Sequence, residues 1–269
     1  MYVIGLDVGT TACKAIVFDL EGKIKGYSSS GYDVIIKKPN WVEQEPEKVW
    51  AIAKNVIRKV IKESNLKDIK AICVSVQGDA VIPVDSKIHP LHNAILGMDY
   101  RSVREAQFCS ELIGERELFR ITGMRPHPIT SLSKILWFKE NTKNIYKEIY
   151  KFMTYADFIN SKLGAQPYID WTMASRTMAF DLLKREWSEF ILDKVGIDKS
   201  LLSSPVPSGE IIGKVSTTVA EDVGLPKECL IVSGGHDQTC AGIGAGCIKE
   251  GIAIDSHGTA EVLSVAFIA

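Results

Sequence analysis

The chain has 269 residues, 32 basic against 33 acidic side chains and a formal net charge of −1; 46% of its residues are hydrophobic and 24% charged. That balance is ordinary for a globular protein and excludes a disordered polyelectrolyte. It lacks the basic excess of a nucleic-acid-binding domain, so no nucleic-acid partner is expected, and the length allows one large core or two small ones.

The amino terminus, MYVIGLDVGT, has neither the basic region nor the long apolar run of a signal peptide. No stretch reaches the roughly 18 apolar residues of a membrane helix. The expectation is a cytoplasmic protein with no membrane partner. Residues 2–6 predict a strand that ends at Asp7-Val8-Gly9-Thr10-Thr11. Residues 15–20 predict a second strand and 24–30 a third, with Glu21-Gly22 as the turn between them. So short a connection requires antiparallel strands.

Glu45-Pro46-Glu47 opens a helix, with proline and acids in its first turn. Val49, Trp50, Ala53, Val56, Ile57, Val60 and Ile61 recur at three- and four-residue steps, and Lys48, Lys54, Arg58, Lys59 and Lys62 fill the other face. Residues 69–76 form an apolar run without polar alternation, the mark of a buried central strand. The middle, residues 101–187, predicts helices at 103–113, 132–141 and 155–163. Strand signals return at 210–215, 229–232, 251–256 and 262–268. This pattern is a mixed β-sheet with covering helices, its helical middle inserted between two sheet-forming parts. Cys13, Cys73, Cys109, Cys229, Cys240 and Cys247 form no CxxC pair. That spacing argues against structural zinc and for reduced, buried, small hydrophobes.

Three segments carry chemistry. In Asp7-Val8-Gly9-Thr10-Thr11-Ala12-Cys13-Lys14 a carboxylate ends a strand, followed by a glycine turn, two hydroxyls and a lysine. Gly9 lets the backbone approach an anion, and N–H groups and hydroxyls can bind phosphate oxygens. Asp7 could hold Mg²⁺ directly or through water. A plain hairpin turn explains the same eight residues, and the GxxxxGK[ST] loop is absent. In Ser233-Gly234-Gly235-His236-Asp237-Gln238 an apolar strand runs into two glycines, then a carboxylate at or near a helix amino terminus. Asp237 reads either as a helix cap or as a general base at a cleft mouth. Asp255-Ser256-His257-Gly258-Thr259-Ala260 repeats the logic of strand, glycine and hydroxyl, and also suits a hairpin turn. His236 and His257 sit beside these motifs, where a histidine is more often a packing or turn residue.

DVGTTACK, SVQGDAVIPVD, PITSLSKILWFKEN, IDWTMASRTMAFDLLKREW, GGHDQTCAGIGAG and DSHGTAE occur in an order and spacing that resemble the FGGY carbohydrate kinases, as does NWVEQEPEKVW. The lysine–tryptophan segment is the most specific local match. The resemblance implies an α/β protein of the actin-like ATPase (ribonuclease H-like) fold, with ATP and Mg²⁺ in a cleft between two such domains. By position it implies Asp7 at Mg²⁺ and Gly9, Thr10, Thr11 and Lys14 at the phosphates. Gly258 and Thr259 would face the γ-phosphate from the other lobe, and Asp237 would be the base at the sugar hydroxyl. It further implies sugar contacts from Gln77, Gly78 and Asp79 and from Asp99 and Arg101, although Asp99 and Arg101 also suit a surface ion pair. Gly78 and Gly97 replace larger side chains of many members, which predicts a roomier pocket.

Residues 1–246 then correspond to the family's amino-terminal, sugar-binding lobe and 247–269 to the start of the nucleotide-binding lobe. The chain is accordingly expected to be a fragment, folded but inactive as a kinase on its own. The expected reaction is ATP-dependent phosphorylation of a ketose or polyol, with a homodimer among the expected assemblies. Three other readings stand beside it: a non-catalytic actin-like ATPase module, sugar binding without turnover, and a dinucleotide site at Gly242-Ile243-Gly244-Ala245-Gly246. The last has a helix before it where a strand is needed.

Overall fold

A computed structural model describes residues 1–257 and 261–267 of the chain. Strands β1 (Tyr2–Val8), β2 (Ala12–Asp19) and β3 (Ile24–Gly31) form an antiparallel meander. Leu6, Val8, Cys13, Ala15 and Val17 are buried in it. Helix α1 (Pro46–Ser64) packs on this meander through Val49, Trp50, Ala53, Val56, Ile57 and Val60, the face expected from its spacing. Proline opens the helix, and Asn65 closes it at φ 53°, its N–H donating to the carbonyl of Ile61.

The chain then returns as β4 (Ile69–Val76), which lies parallel to β1. A helical middle follows, including α2 (Val103–Ile113), α3 (Ser131–Asn141), α4 (Tyr155–Leu163) and the short α5 (Trp171–Ser175). Two late strands complete the sheet, β5 (Ile211–Lys214) and β6 (Leu230–His236), in the order β5-β6-β4-β1-β2-β3. β6 is parallel to β4, whereas β5 is antiparallel to β6. The sheet is therefore mixed, as expected, and β4 has a parallel neighbour on each side. Helix α4 packs on β4 and β6 with Phe158 and Ile159 buried. Buried side chains from Ile4 to Ile231 join in one hydrophobic core.

Several boundaries differ from expectation: β1 runs on to Val8 and β2 starts at Ala12, three residues before the predicted start. β6 does not stop at Val232 but runs through both glycines to His236. The register slips between Val232 and Gly235, and a Cβ on Gly234 would lie 1.9 Å from the carbonyl oxygen of Val74. The glycine is there for close strand contact at a bulge and not for a turn. Among the described residues the last strands, β7 (Ala253–His257) and β8 (Glu261–Val265), pair only with each other; β8 stops short of the predicted end, and Ile268 lies outside the described residues. Cys13, Cys109 and Cys229 are buried, while Cys73, Cys240 and Cys247 are only partly so. Among the described residues no helix is long and apolar enough to cross a membrane.

Candidate active site

Because β1, β4 and β6 run parallel, their carboxyl ends reach the same edge of the sheet. Register fixes them side by side: Val8 opposes Val76, and Val76 opposes His236. The segments that follow, Gly9-Thr10-Thr11, Gln77-Gly78-Asp79 and Asp237, emerge together. Thr10, Gln77, Asp79, Arg176, His236 and Asp237 border a cleft of about 480 Å³ there. The carboxyl edge of an open α/β sheet is where such folds collect ligands.

The first loop is braced from behind. The Gly9 N–H donates to the Ala12 carbonyl at 3.0 Å. The Gly9 carbonyl accepts from the Tyr32 hydroxyl and from Gln77 Nε2 at 3.3 Å, and the Thr10 carbonyl accepts from Gln44 Nε2. Gln77 is itself held by Gln44 Oε1 at 2.9 Å. It therefore supports the loop, and it borders the cleft as well. The N–H groups of Thr10 and Thr11 make no hydrogen bond with a described residue, as an anion-binding turn requires. Asp7 accepts from Ser75 Oγ at 3.1 Å, and Lys14 Nζ lies 3.4 Å from its other oxygen. The Asp7 side chain is one-third exposed. Among the described residues no three His, Cys, Asp or Glu side chains converge to make a metal cage. One available carboxylate with room for water and phosphate oxygens fits Mg²⁺, which keeps most of its waters.

Asp237 opens helix α6 (Asp237–Gly244), with His236 as its cap residue. One oxygen, Oδ1, accepts from the Gln238 N–H at 2.7 Å and lies 3.2 Å from His236 Nε2. Oδ2 has no hydrogen bond among the described residues, and the side chain is one-third exposed. Burial pushes the His236 pKa down, and the nearby positive charge of Arg176 adds to that. A neutral ring donating from Nε2 to Asp237 satisfies the contact. Glycines 242–246 lie within and just after α6, so they do not open a helix after a strand as a dinucleotide site needs.

Asp79 sits at φ 62°, left-handed backbone that aspartate tolerates better than most residues. Its side chain is 1% exposed. Arg176 grips both carboxylate oxygens, Nε to Oδ1 at 3.0 Å and Nη2 to Oδ2 at 2.7 Å. The Asp79 carbonyl accepts from Lys134 Nζ at 2.8 Å, and Lys134 also donates to the Ile129 carbonyl. Burial pushes the Lys134 pKa down to about 8. The roomier pocket predicted at Gly78 is not there. A Cβ at that position would lie 2.6 Å from His236 Nε2 and 3.1 Å from Arg176 Nε, so those two side chains fill the space. At Gly97 a Cβ would lie 3.0 Å from the Gly78 carbonyl oxygen.

Asp99 and Arg101 do not line the cleft, although Gly97 and Met98 just before them do, and both side chains are fully buried. Asp99 accepts from the backbone N–H groups of Val42 and Arg101 at 2.6 and 2.8 Å. Arg101 Nη2 pairs with Asp99 at 2.7 Å and with Glu43 at 2.9 Å, and its guanidinium lies 3.8 Å from the Trp41 ring centre. This is an interior ion cluster, not a surface pair. Gly258 and Thr259 lie outside the described residues. Arg176, by contrast, borders the cleft although sequence reasoning did not single it out. The available signal is its setting: it is one cation amid the buried Met173, Ala174, Met178, Ala179 and Phe180, and such a charge needs a partner or ligand.

A model of the FGGY family of carbohydrate kinases, N-terminal domain, matches residues 2–244. A xylulose kinase of Lactococcus lactis subsp. lactis is 30% identical over 266 residues, covering 98% of this chain and 53% of that protein. A gluconokinase of Bacillus subtilis is 30% identical over 262 residues, covering 97% and 51% respectively. The crystal structure of gluconate kinase from Lactobacillus acidophilus aligns with a TM-score of 0.92 at 27% identity, covering 97% of this chain and 53% of that one. The chain thus spans about half the length of these relatives. Its fold is the actin-like ATPase fold of these sugar kinases. With the family model matching residues 2–244 of its 269 residues, the chain belongs to the FGGY family of carbohydrate kinases.

Proposed function

We propose that this chain forms the sugar-binding half of an ATP-dependent kinase that phosphorylates a hydroxyl of a ketose or polyol. The observation that carries this reading is the free Oδ2 of Asp237, set at the same sheet edge as the glycine loop after β1. Relatives named xylulose kinase, gluconokinase and glycerol kinase support it. Residues 1–246 are taken as the sugar-binding lobe and 247–269 as the start of the nucleotide-binding lobe.

Phosphoryl transfer needs positioning and charge neutralisation more than covalent chemistry. Mg–ATP, when bound, supplies the phosphoryl group. Asp7 would hold the Mg²⁺, and Gly9, Thr10, Thr11 and Lys14 would cradle phosphate oxygens. Gly258 and Thr259 are assigned to the γ-phosphate from the opposite wall. Asp237 Oδ2 takes the proton from the acceptor hydroxyl, while His236 and the Gln238 N–H hold its other oxygen. The 269-residue chain alone is expected to bind sugar but to turn over ATP poorly, because lobe closure aligns donor and acceptor.

The test is a coupled ADP-release assay on protein extended to the length of the relatives, over a panel of ketoses, polyols and aldonates. Sugar-dependent ADP release supports the reading. ATP hydrolysis indifferent to every sugar would make the protein a non-catalytic ATPase module.

A further inference from the structure

We infer that Arg176, positioned by Asp79, is the hydrogen-bond donor that fixes the substrate in the cleft, and that Asp79 acts only through it. This rests on the kinase reading above for the identity of the substrate. The burial of Asp79 is the starting point. Its side chain is 1% exposed and both oxygens are taken by Arg176. Each oxygen keeps a further lone pair, but at 1% exposure the carboxylate gives a sugar hydroxyl almost no access.

Arg176 is different. Its side chain is 31% exposed and borders the cleft. A guanidinium has five N–H donors in a rigid plane, and Asp79 uses only the edge formed by Nε and Nη2. Nη1 makes no hydrogen bond with a described residue, and its donors point away from Asp79. Glycine at position 78 lets this fork lie against His236, since any Cβ there would meet both side chains. His236 in turn lies 3.2 Å from Asp237 Oδ1. Arg176 and His236 therefore flank Gly78, and Arg176 and Asp237 border the same cleft. One substrate with neighbouring hydroxyls can give a proton to Asp237 and accept a hydrogen bond from Arg176.

The position of Arg176 is also fixed from its own element. Arg176 follows directly after α5, whose first turn is capped by Asp170. Thr172 Oγ1 accepts from the His236 N–H at 2.8 Å, tying α5 to the end of β6. The element that carries the donor is thus bonded to the strand end that precedes the base.

The experiment uses protein extended to the length of the relatives, with sugar affinity by calorimetry, steady-state kinetics and thermal melting for each variant. Arg176→Met should raise the sugar Kd and KM about 10- to 100-fold, the loss expected for a charged hydrogen bond. The KM for ATP should stay within about twofold. Arg176→Lys should fall between wild type and Arg176→Met, because it keeps the charge and loses the fork. It also serves as the readout if Arg176→Met melts below assay temperature. Asp79→Asn should raise the sugar Kd by a smaller factor and add nothing in the Arg176→Met background, because coupled residues are not additive. Wild-type sugar affinity in Arg176→Met or Arg176→Lys overturns the inference. So does a full, additive penalty from Asp79→Asn in the double variant. Wild-type protein that binds sugar without turning over ATP would sink the kinase reading and leave this one standing, since calorimetry reads Arg176 without chemistry. Protein that binds no sugar in the panel would overturn both.

Discussion

One oxygen of Asp237 is held twice and the other has no hydrogen bond among the described residues, an arrangement that suits the proposed general base. The Gln238 N–H and the His236 ring fix Oδ1, which leaves Oδ2 to meet a hydroxyl. Asp237→Asn keeps the size and removes the proton acceptor. If the proposed function holds, turnover by protein extended to the length of the relatives should fall about 10²- to 10⁴-fold, with sugar affinity by calorimetry nearly unchanged; wild-type turnover in this variant would end the assignment. At the other side of the cleft, Thr10 has its carbonyl tied down by Gln44 while its hydroxyl belongs to the braced loop. Thr10→Val should weaken binding of a non-hydrolysable ATP analogue several-fold and spare sugar binding. A large loss of sugar affinity would place the hydroxyl at the sugar instead. Asp237 and the glycine loop were legible in the sequence because each follows directly on an apolar strand. Asp99 and Arg101 were not, because their partners Trp41 and Glu43 lie far off along the chain. A charge pair written in sequence looks the same on a surface as in a core.

Elements built on helical periodicity were the most legible. Helices α2 and α4 have the ends their apolar spacing predicts, and α1 buries the predicted face. β6 was misread because glycine signals both a turn and a place where backbone touches backbone. Only the tertiary contact with Val74 distinguishes the two. Helix α4 also carries a titratable group in its cap. Asp157 Oδ1 accepts from the Thr154 N–H and hydroxyl, both at 2.6 Å, and Oδ2 from the Ser203 hydroxyl at 2.6 Å. Burial nonetheless pushes its pKa up from 3.8 to about 7, against the pull of those donors. The folded state then holds a proton that the unfolded state has released, so this group's contribution to stability is lost as pH rises from 3.8 to about 7. Asp157→Asn has no such proton and can keep a donor toward Ser203. Its melting temperature should gain on wild type by a few degrees across that range, since about 1 kcal/mol moves a chain of this size by roughly 2–4 °C. Parallel pH profiles for the two proteins would refute the assignment. Helix α3 contributes in another way, since the buried Lys134 joins the carbonyls of Asp79 and Ile129. Lys134→Met would leave two interior acceptors unmet, at about 1–3 kcal/mol each. A denaturant midpoint equal to that of wild type would show that water or a shifted backbone replaces the staple.

At the scale of the whole molecule, the β7–β8 hairpin borders the cleft through Val262 and Ser264 but has no strand pairing with the main sheet among the described residues, and it and the residues after it carry exposed apolar side chains. Leu263 is 70% exposed and Phe267 78%. Strands with open edges pair with other chains, and the natural partner in a pure solution is a second copy. Sedimentation of the 269-residue chain should show association that grows with concentration, and Leu263→Lys with Phe267→Lys should reduce it; a monomer at about 100 µM in the unmodified chain would count against this. The parallel edge that gathers the cleft bears on folding kinetics. Asp7 and Ser75 are separated by 68 residues of chain, and His236 joins them only after the entire helical middle has been threaded. Non-local pairing of this kind is slow, because loop-closure entropy comes before any compensating contact. Helical circular dichroism should therefore recover early during refolding and sugar binding last, so that ligand capture in a refolding time course reports the closing of the sheet's last parallel pair.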